Sequence, residues 1–298
     1  MTYRVIQWAT GGVGRAAIEA VMDHPELELV GCWVHSEEKD GRDVGEILGI
    51  DPLGITATNS IENILSMDAD CVVYTPLMPN EQEVIDLLAS GKNVVTSVGW
   101  VYPFDSMDVG PIEEACRLGN SALHGTGIHP GGMTERFPLT LSALTRSITH
   151  VQVDEYSDIR TYGAPDVVRH LMLFGHSPED ARKSPMVQFL SGGFGQSIDM
   201  IARELGFRLD PEKRTIHDIS VATAPIDSPI GVIQPGQVAG QKFTWQGLVD
   251  NEPVISVSVC WLMGEENLEK LGIKDFSDYV VQLPGVTAGG GEIGRAHV

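Results

Sequence analysis

From residue 3 to about residue 123, short apolar runs alternate with stretches whose apolar side chains recur every three or four positions. The runs at 3–8, 27–34, 71–75, 93–98 and 121–123 predict strands. The periodic stretches at 12–23, 60–66, 80–90 and 107–118 predict helices, with Ser60 placed to cap one and Gly91 to end another. Strands alternating with helices pair in parallel through right-handed crossovers, so the pattern predicts a doubly wound parallel sheet over residues 1–138. Beyond that point the rhythm changes. Residues 148–159 alternate with a period of two, 166–174 and 196–206 look helical, and 214–223, 238–248 and 253–262 read as strands joined by Pro, Gly and Asp turns. The expectation is α/β followed by a second, α+β domain over 139–285 with a mixed or antiparallel sheet. The stretch "GVTAGGGEIGRAHV" carries neither period, and 286–298 is expected to be a non-native or disordered tail.

Composition narrows the function. A chain of 298 residues has room for two cores, and it carries 41 acidic against 20 basic side chains, a formal charge of −21. That surface repels polyanions, and no basic stripe offsets it, so nucleic acid is not an expected partner. No apolar run approaches the roughly 18 residues of a membrane span, and no signal peptide is evident at the start. Cys32, Cys71, Cys116 and Cys260 are far apart and form no C-x-x-C, which fits reduced thiols in a cytoplasmic protein. The histidines show no ligand spacing, so no metal is expected, and there is no G-x-S-x-G elbow.

One stretch carries chemistry at once. In "IQWATGGVGRAAI" (6–18), Ala9, Gly11 and Gly14 occupy the positions of G-x-G-x-x-G, with Thr10, Gly12 and Val13 between them, where a strand passes into a helix. Bare backbone N–H groups and the positive end of the helix dipole suit a pyrophosphate, which predicts a Rossmann dinucleotide-binding domain. Its second strand leads into "WVHSEEKDGRD". His35, Ser36, Lys39 and Arg42 offer a hydroxyl and cations to a 2′-phosphate, so NADP(H) is the preferred cofactor; Glu37 could serve a ribose, which keeps NAD(H) possible. Ligands of such sheets collect beyond the carboxyl ends of the strands, so Tyr74, Thr75 and Pro76 of "YTPLMP" and Ser97 and Gly99 of "TSVGWVYP" are expected to border the ribose and nicotinamide.

The segment "HGTGIHPGGMTERFPLTLSAL" (124–144) brings a resemblance. "GTGIHPGG" followed by "FPLTLSAL" resembles the G-T-G-x-N-P-G…L-P-L-x-L-S segment of 2,4-diaminopentanoate dehydrogenases and native amine dehydrogenases, relatives of dihydrodipicolinate reductase. The similarity runs with interruptions from about residue 3 to 265. It implies a Rossmann domain, an α+β substrate and dimerisation domain forming a homodimer, and reversible reductive amination of small ketones or aldehydes with ammonia and NAD(P)H. It also implies that His129, standing where the amine dehydrogenases have Asn, contacts the nicotinamide. The catalytic Glu those enzymes carry near the end of "TSVGWVYP" is missing; Val98, Gly99 and Trp100 stand there. Setting Ala164–Pro165 on the A-P of the reductase motif E-x-H-H-x-x-K-x-D-A-P-S-G puts Glu155 on its Glu. Ser157, Asp158 and Thr161 then replace its cations, leaving Arg160 and Arg169, which speaks against a dicarboxylate substrate.

Imine chemistry needs an acid–base group. In "VQVDEYSDI" (151–159), a period of two places Glu155 on the face of Val151 and Val153, where desolvation raises a carboxyl pKa. Glu155 is the expected catalytic group, with His129 and Tyr162 as further proton donors. The competing reading is a structural carboxylate held by Arg160 or a backbone amide. Trp100, Tyr102, Met133, Phe137, Tyr162, Phe174 and Trp261 are the expected apolar pocket walls, suiting a small uncharged carbonyl compound or amine. Two alternatives stay open: a ketone or imine reductase independent of ammonia, and a non-catalytic NADP-binding redox sensor, favoured by the missing Glu.

Overall fold

The computed structural model describes residues 1–264 and 266–269, together with three short strand segments, Thr287–Ala288, Gly291–Glu292 and Ala296–His297. The chain forms two compact units, the first Met1–Gly127 and the second starting at Ile128, earlier than the expected boundary at 138. The segment 128–136 packs on a helix of the second unit, so its contacts place it there.

In the first unit, strands β1 (Tyr3–Trp8), β2 (Leu27–Trp33), β3 (Ala57–Thr58), β4 (Cys71–Tyr74), β5 (Asn93–Thr96) and β6 (Leu123–Gly125) form one parallel sheet in the order β3-β2-β1-β4-β5-β6. That is the strand order of a Rossmann sheet. Helices α1 (Gly12–Asp23), α2 (Val44–Leu48), α3 (Ile61–Ser66), α4 (Glu81–Ala89) and α5 (Gly110–Gly119) connect the strands. Alternate side chains of β1 enter opposite cores. Ile6 and Trp8 pack with Val72, Tyr74 and Leu87, while Val5 packs with Ile18, Leu29 and Val44. Ser60 caps α3, its hydroxyl accepting from the Asn63 N–H at 3.1 Å. Ser90, not Gly91, takes the cap position of α4; Gly91 follows it in a left-handed conformation at φ 90°. The two residues of β3 are too few to leave a period in the sequence.

The second unit has a mixed sheet, as its turns suggested. Strand β7 (Val151–Asp158) pairs in parallel with β10 (Glu252–Leu262), and β10, β9 (Val238–Val249) and β8 (Arg214–Val221) pair antiparallel. Helices α6 (Phe137–Ser142), α7 (Pro165–His170), α8 (Pro178–Arg182) and α9 (Met186–Leu205) complete the regular structure. One sheet face is closed by α9, whose Phe194, Ile198 and Ile201 pack with Val151, Val153, Phe243, Trp245 and Val257. Only the second half of α9 was expected. In the half that was not expected, Gly193 is where a Cβ would press within 3.2 Å of the Pro130 ring, so glycine there serves a close approach. Most of 286–298, the expected tail, lies outside the described residues; of those described, β11 (Thr287–Ala288) pairs with β12 (Gly291–Glu292), and β13 (Ala296–His297) adds to the edge of β7. A ladder is made by backbone groups and needs no side-chain period.

Candidate functional site

The first of two clusters is the turn between β1 and α1. Ala9 leaves the strand at φ 75°, and the Gln7 side-chain amide lies 2.9 Å from the Ala9 carbonyl oxygen and 2.8 Å from Thr75 Oγ1, pinning the turn to the end of β4. A Cβ on Gly14 would enter the Ala9 carbonyl, so glycine there is a packing requirement. Gly11 and Gly12 differ: no atom lies within 4 Å of where their Cβ atoms would be. Glycine at those positions is not demanded by the protein's own packing, and the open space admits a ligand oxygen. Gly11 gives α1 no side-chain cap, so the helix presents its first N–H groups to that space. These residues fit a dinucleotide pyrophosphate.

Around the turn, Lys39 Nζ donates to Thr10 Oγ1 at 3.0 Å, bringing together two of the expected cofactor residues. Ser36 caps the single 3-10 turn Glu37–Lys39, its Oγ accepting from the Glu38 N–H at 3.3 Å. The His35 ring lies 6.0 Å from that of Trp33, which stacks on Trp8. Tyr74 was expected at the cofactor but is fully buried. Its hydroxyl donates to Glu83 at 2.6 Å, and burial together with that bond pushes its pKa up, so it supports the start of α4. Thr75 Oγ1 donates to the Trp8 carbonyl at 3.1 Å. Beyond β5, Gly99 and Trp100 are successive left-handed residues at φ 146° and 53°, and Gly125 is tucked so tightly beneath the Trp100 carbonyl that no Cβ fits. Trp100 and Tyr102 are buried in this unit.

The second cluster is built on β7, β10, α9 and the irregular segment Ile128–Arg136. Glu155 Oε1 accepts from Ser157 Oγ at 2.7 Å and from Trp261 Nε1 at 3.2 Å. Parallel pairing of Trp261 with Ser157 sets both donors beside one carboxylate oxygen. The other oxygen, Oε2, lies 3.6 Å from His129 Nε2. His129 is held from behind by Thr134 Oγ1, 2.6 Å from Nδ1, and its ring rests edge-on against Phe194 with centroids 4.7 Å apart. Phe194 in turn stacks on Trp245 at 4.3 Å. Burial lowers the His129 pKa, the facing Glu155 charge opposing it, so the imidazole is held neutral.

Several expectations change here. Arg160 does not hold Glu155; its Nε donates to Asp158 Oδ1 at 2.9 Å, two residues along and across the strand. Tyr162 is 48% exposed and Phe137 42%, on the surface rather than on a closed wall. Phe174 is fully buried in the cluster of Ile159, Val168 and Met172, which makes it core. Met133 is buried in the segment that carries His129.

Glu135 was missed. It is 1% exposed, accepts from Ser197 Oγ on α9, and has its pKa pushed up to about 7 by burial. It lies in "MTERF", between the polar Thr134 and Arg136, within the segment 124–144 that carries the family resemblance.

The family model of the dihydrodipicolinate reductase N-terminus matches residues 5–96, and that of the 2,4-diaminopentanoate dehydrogenase C-terminal domain matches residues 134–262. An amine dehydrogenase from Streptomyces virginiae is 33% identical over 264 residues, 85% of this chain and 73% of its own. The chain belongs to the amine dehydrogenase family. It is therefore an NAD(P)-dependent oxidoreductase. The structure of an amine dehydrogenase from Mycobacterium smegmatis shares the fold, with a TM-score of 0.73 over 89% of this chain and 80% of that one at 18% identity. A 4-hydroxy-tetrahydrodipicolinate reductase from Synechococcus elongatus is similar over a shorter stretch, 38% identical over 63 residues, 21% of this chain and 23% of that protein. The resemblance first seen in "GTGIHPGG" and "FPLTLSAL" thus extends along most of the chain. Among the described residues no helix is long and apolar enough to cross a membrane, and no cluster of side chains is arranged to hold a metal ion.

Proposed function

We propose that this amine dehydrogenase interconverts a small uncharged amine with its ketone or aldehyde, taking up ammonia in the reductive direction and using NADP(H) in preference to NAD(H). One observation carries the reading: Glu155 has one oxygen saturated by two donors and the other left facing a neutral, buried imidazole. The nicotinamide nucleotide, when bound, supplies or takes up the hydride. The backbone of Thr10, Gly11, Gly12 and Val13 would hold its pyrophosphate. Lys39, with Ser36 and Arg42 close in sequence, supports a 2′-phosphate, since a lysine already at hydrogen-bond distance from the glycine turn is a cation at the right end of β2.

The protein's own groups then divide the proton work. Ser157 and Trp261 hold Glu155 in one orientation, so Oε2 is placed to receive a proton from a substrate nitrogen. His129 Nε2, facing that oxygen, can carry the proton onward, because Thr134 fixes the ring. The apolar ring stack behind His129 keeps water away and disfavours a second substrate charge. The resemblance supports a homodimer, and the free cysteines among the described residues suit a reducing compartment.

The test is NADPH oxidation with a panel of small ketones and aldehydes, with and without ammonium, repeated with NADH. Ammonium-dependent turnover, faster with NADPH, is expected. Turnover indifferent to ammonium would make the protein a carbonyl reductase, and tight nucleotide binding without turnover would make it a sensor; either overturns the reading.

A further inference from the structure

Glu135 is a buried carboxyl to which the scheme above gives no task, and among the described residues no other Asp or Glu is as buried. Its Oε1 accepts from Ser197 Oγ, while Oε2, equally buried, has no hydrogen-bond partner. An orphaned oxygen of this kind is costly, and a reaction that uses it is one reason for a fold to keep it. Its setting is poor in charge. The α9 turn beneath it, Gly193, Phe194, Gly195, Gln196 and Ser197, contains no ionisable side chain, and the opposing influences are the Ser197 hydroxyl, the backbones of Gly131 and of Glu135 itself, and the charge of Arg136. Burial outweighs all four.

Its place matters as much as its chemistry. Phe194 and Ser197 are three residues apart and so are neighbours on one face of α9, about one helical turn from each other. His129 covers the first and Glu135 the second. Thr134, adjacent to Glu135 in the chain, is the residue that holds the His129 ring.

We propose that Glu135 is a second proton-exchanging group of the His129–Glu155 site, a carboxylic acid whose free Oε2 protonates the hydroxyl that leaves the carbinolamine. The inference rests on the reading of that pair as the seat of proton exchange. In the step assigned to it, the carbinolamine C–O bond breaks, the Oε2–H proton goes to the departing oxygen to make water, and the nitrogen lone pair forms the C=N bond. Glu135 is left as the carboxylate. The proton that ammonium sheds on becoming the nucleophile restores it, so no redox partner is needed. Glu155, whose second oxygen faces the His129 ring, is the base of the pair, and Glu135, sealed against α9 by Ser197, is the acid.

The experiment uses the full chain and its Glu135→Gln and Ser197→Ala variants, with two readouts. Infrared difference spectra of the wild type at neutral pH are expected to contain the carbonyl stretch of a protonated carboxylic acid that Glu135→Gln removes. In the reductive direction, wild-type kcat is expected to fall as pH rises through about 7, where the acid ionises. Glu135→Gln should lose on the order of 10²-fold in kcat and lose that fall. Ser197→Ala, which removes a donor favouring the carboxylate, should move the fall to higher pH. Absence of the infrared band, or a Glu135→Gln profile that superimposes on wild type, overturns the proposal. If Glu135→Gln fails to fold, an unmoved profile in Ser197→Ala overturns it instead. An active Glu155→Gln variant would sink the underlying function while leaving the Glu135 band in place, so the two failures are separable.

Discussion

Glu155 Oε2 faces His129 Nε2 across 3.6 Å, longer than a hydrogen bond, while the other oxygen of the same carboxylate is bound twice. A carboxylate so unevenly used has one oxygen for support and one for work. Glu155→Gln keeps the shape and removes the base; it is expected to lower kcat by about 10²- to 10⁴-fold while leaving nucleotide affinity unchanged. Steady-state turnover and a fluorescence titration with NADP⁺ check both halves, and full activity would remove Glu155 from its role.

Trp261 and Ser157 act through Glu155. Trp261→Phe keeps an aromatic body and deletes one donor to Oε1, so kcat is expected to fall by about tenfold as the carboxylate loses its fixed orientation, with nucleotide affinity unchanged. Unchanged kcat would show the indole to be packing alone.

Lys39 bears on cofactor choice. Lys39→Ala is expected to raise KM for NADPH by about tenfold or more, the worth of a charge-assisted hydrogen bond, with little change for NADH. Equal loss with both nucleotides would mean that its bond to Thr10 only shapes the turn.

The glycine turn yields a contrast within one motif. Gly14→Ala forces a Cβ into the Ala9 carbonyl and is expected to lower the melting temperature of the first unit. Gly12→Ala meets open space and is expected to leave melting unchanged while weakening nucleotide binding. Differential scanning and titration separate the two, and identical behaviour would deny that the open space serves a ligand.

Stability should depend on pH in opposite senses through two buried groups. The Glu135 carboxyl, ordinarily at 4.5, is pushed up to about 7 in the fold, so the folded state holds a proton that the unfolded chain has shed. Its contribution is complete below about 4.5 and is lost as pH rises through about 7, on the order of 3 kcal/mol at roughly 1.4 kcal/mol per unit. His129 is lowered from 6.5 by burial, so its contribution is present above that value and fades as pH falls through the lowered one. Glu135→Gln should therefore gain melting temperature over wild type at about pH 8 and not at about pH 5. Equal melting differences at both would show the carboxyl to be ionised throughout.

Much of this could be read from residues alone, for identifiable reasons. The doubly wound parallel sheet followed from alternation, because each parallel strand needs a crossover helix, and the strand period set Glu155 on the face of Val151 and Val153. What escaped was set by tertiary packing. The first half of α9 was hidden by Gly192, Gly193 and Gly195, which weaken a helical pattern but let Pro130 approach. Glu135 was hidden because burial is not encoded by its neighbours, Thr134 and Arg136. Phe174 and Tyr74 were misplaced for the converse reason: aromatic residues near a motif fill cores more often than they meet ligands, and both are sealed inside.

The stacked rings of Trp8 and Trp33, 4.4 Å apart with planes 15° from parallel, lie at the carboxyl ends of β1 and β2. Two indoles in that arrangement share their electronic excitation and split it into a pair of circular-dichroism bands of opposite sign. The glycine turn begins at the very next residue, so the protein carries its own optical gauge of the nucleotide cradle, readable without a label.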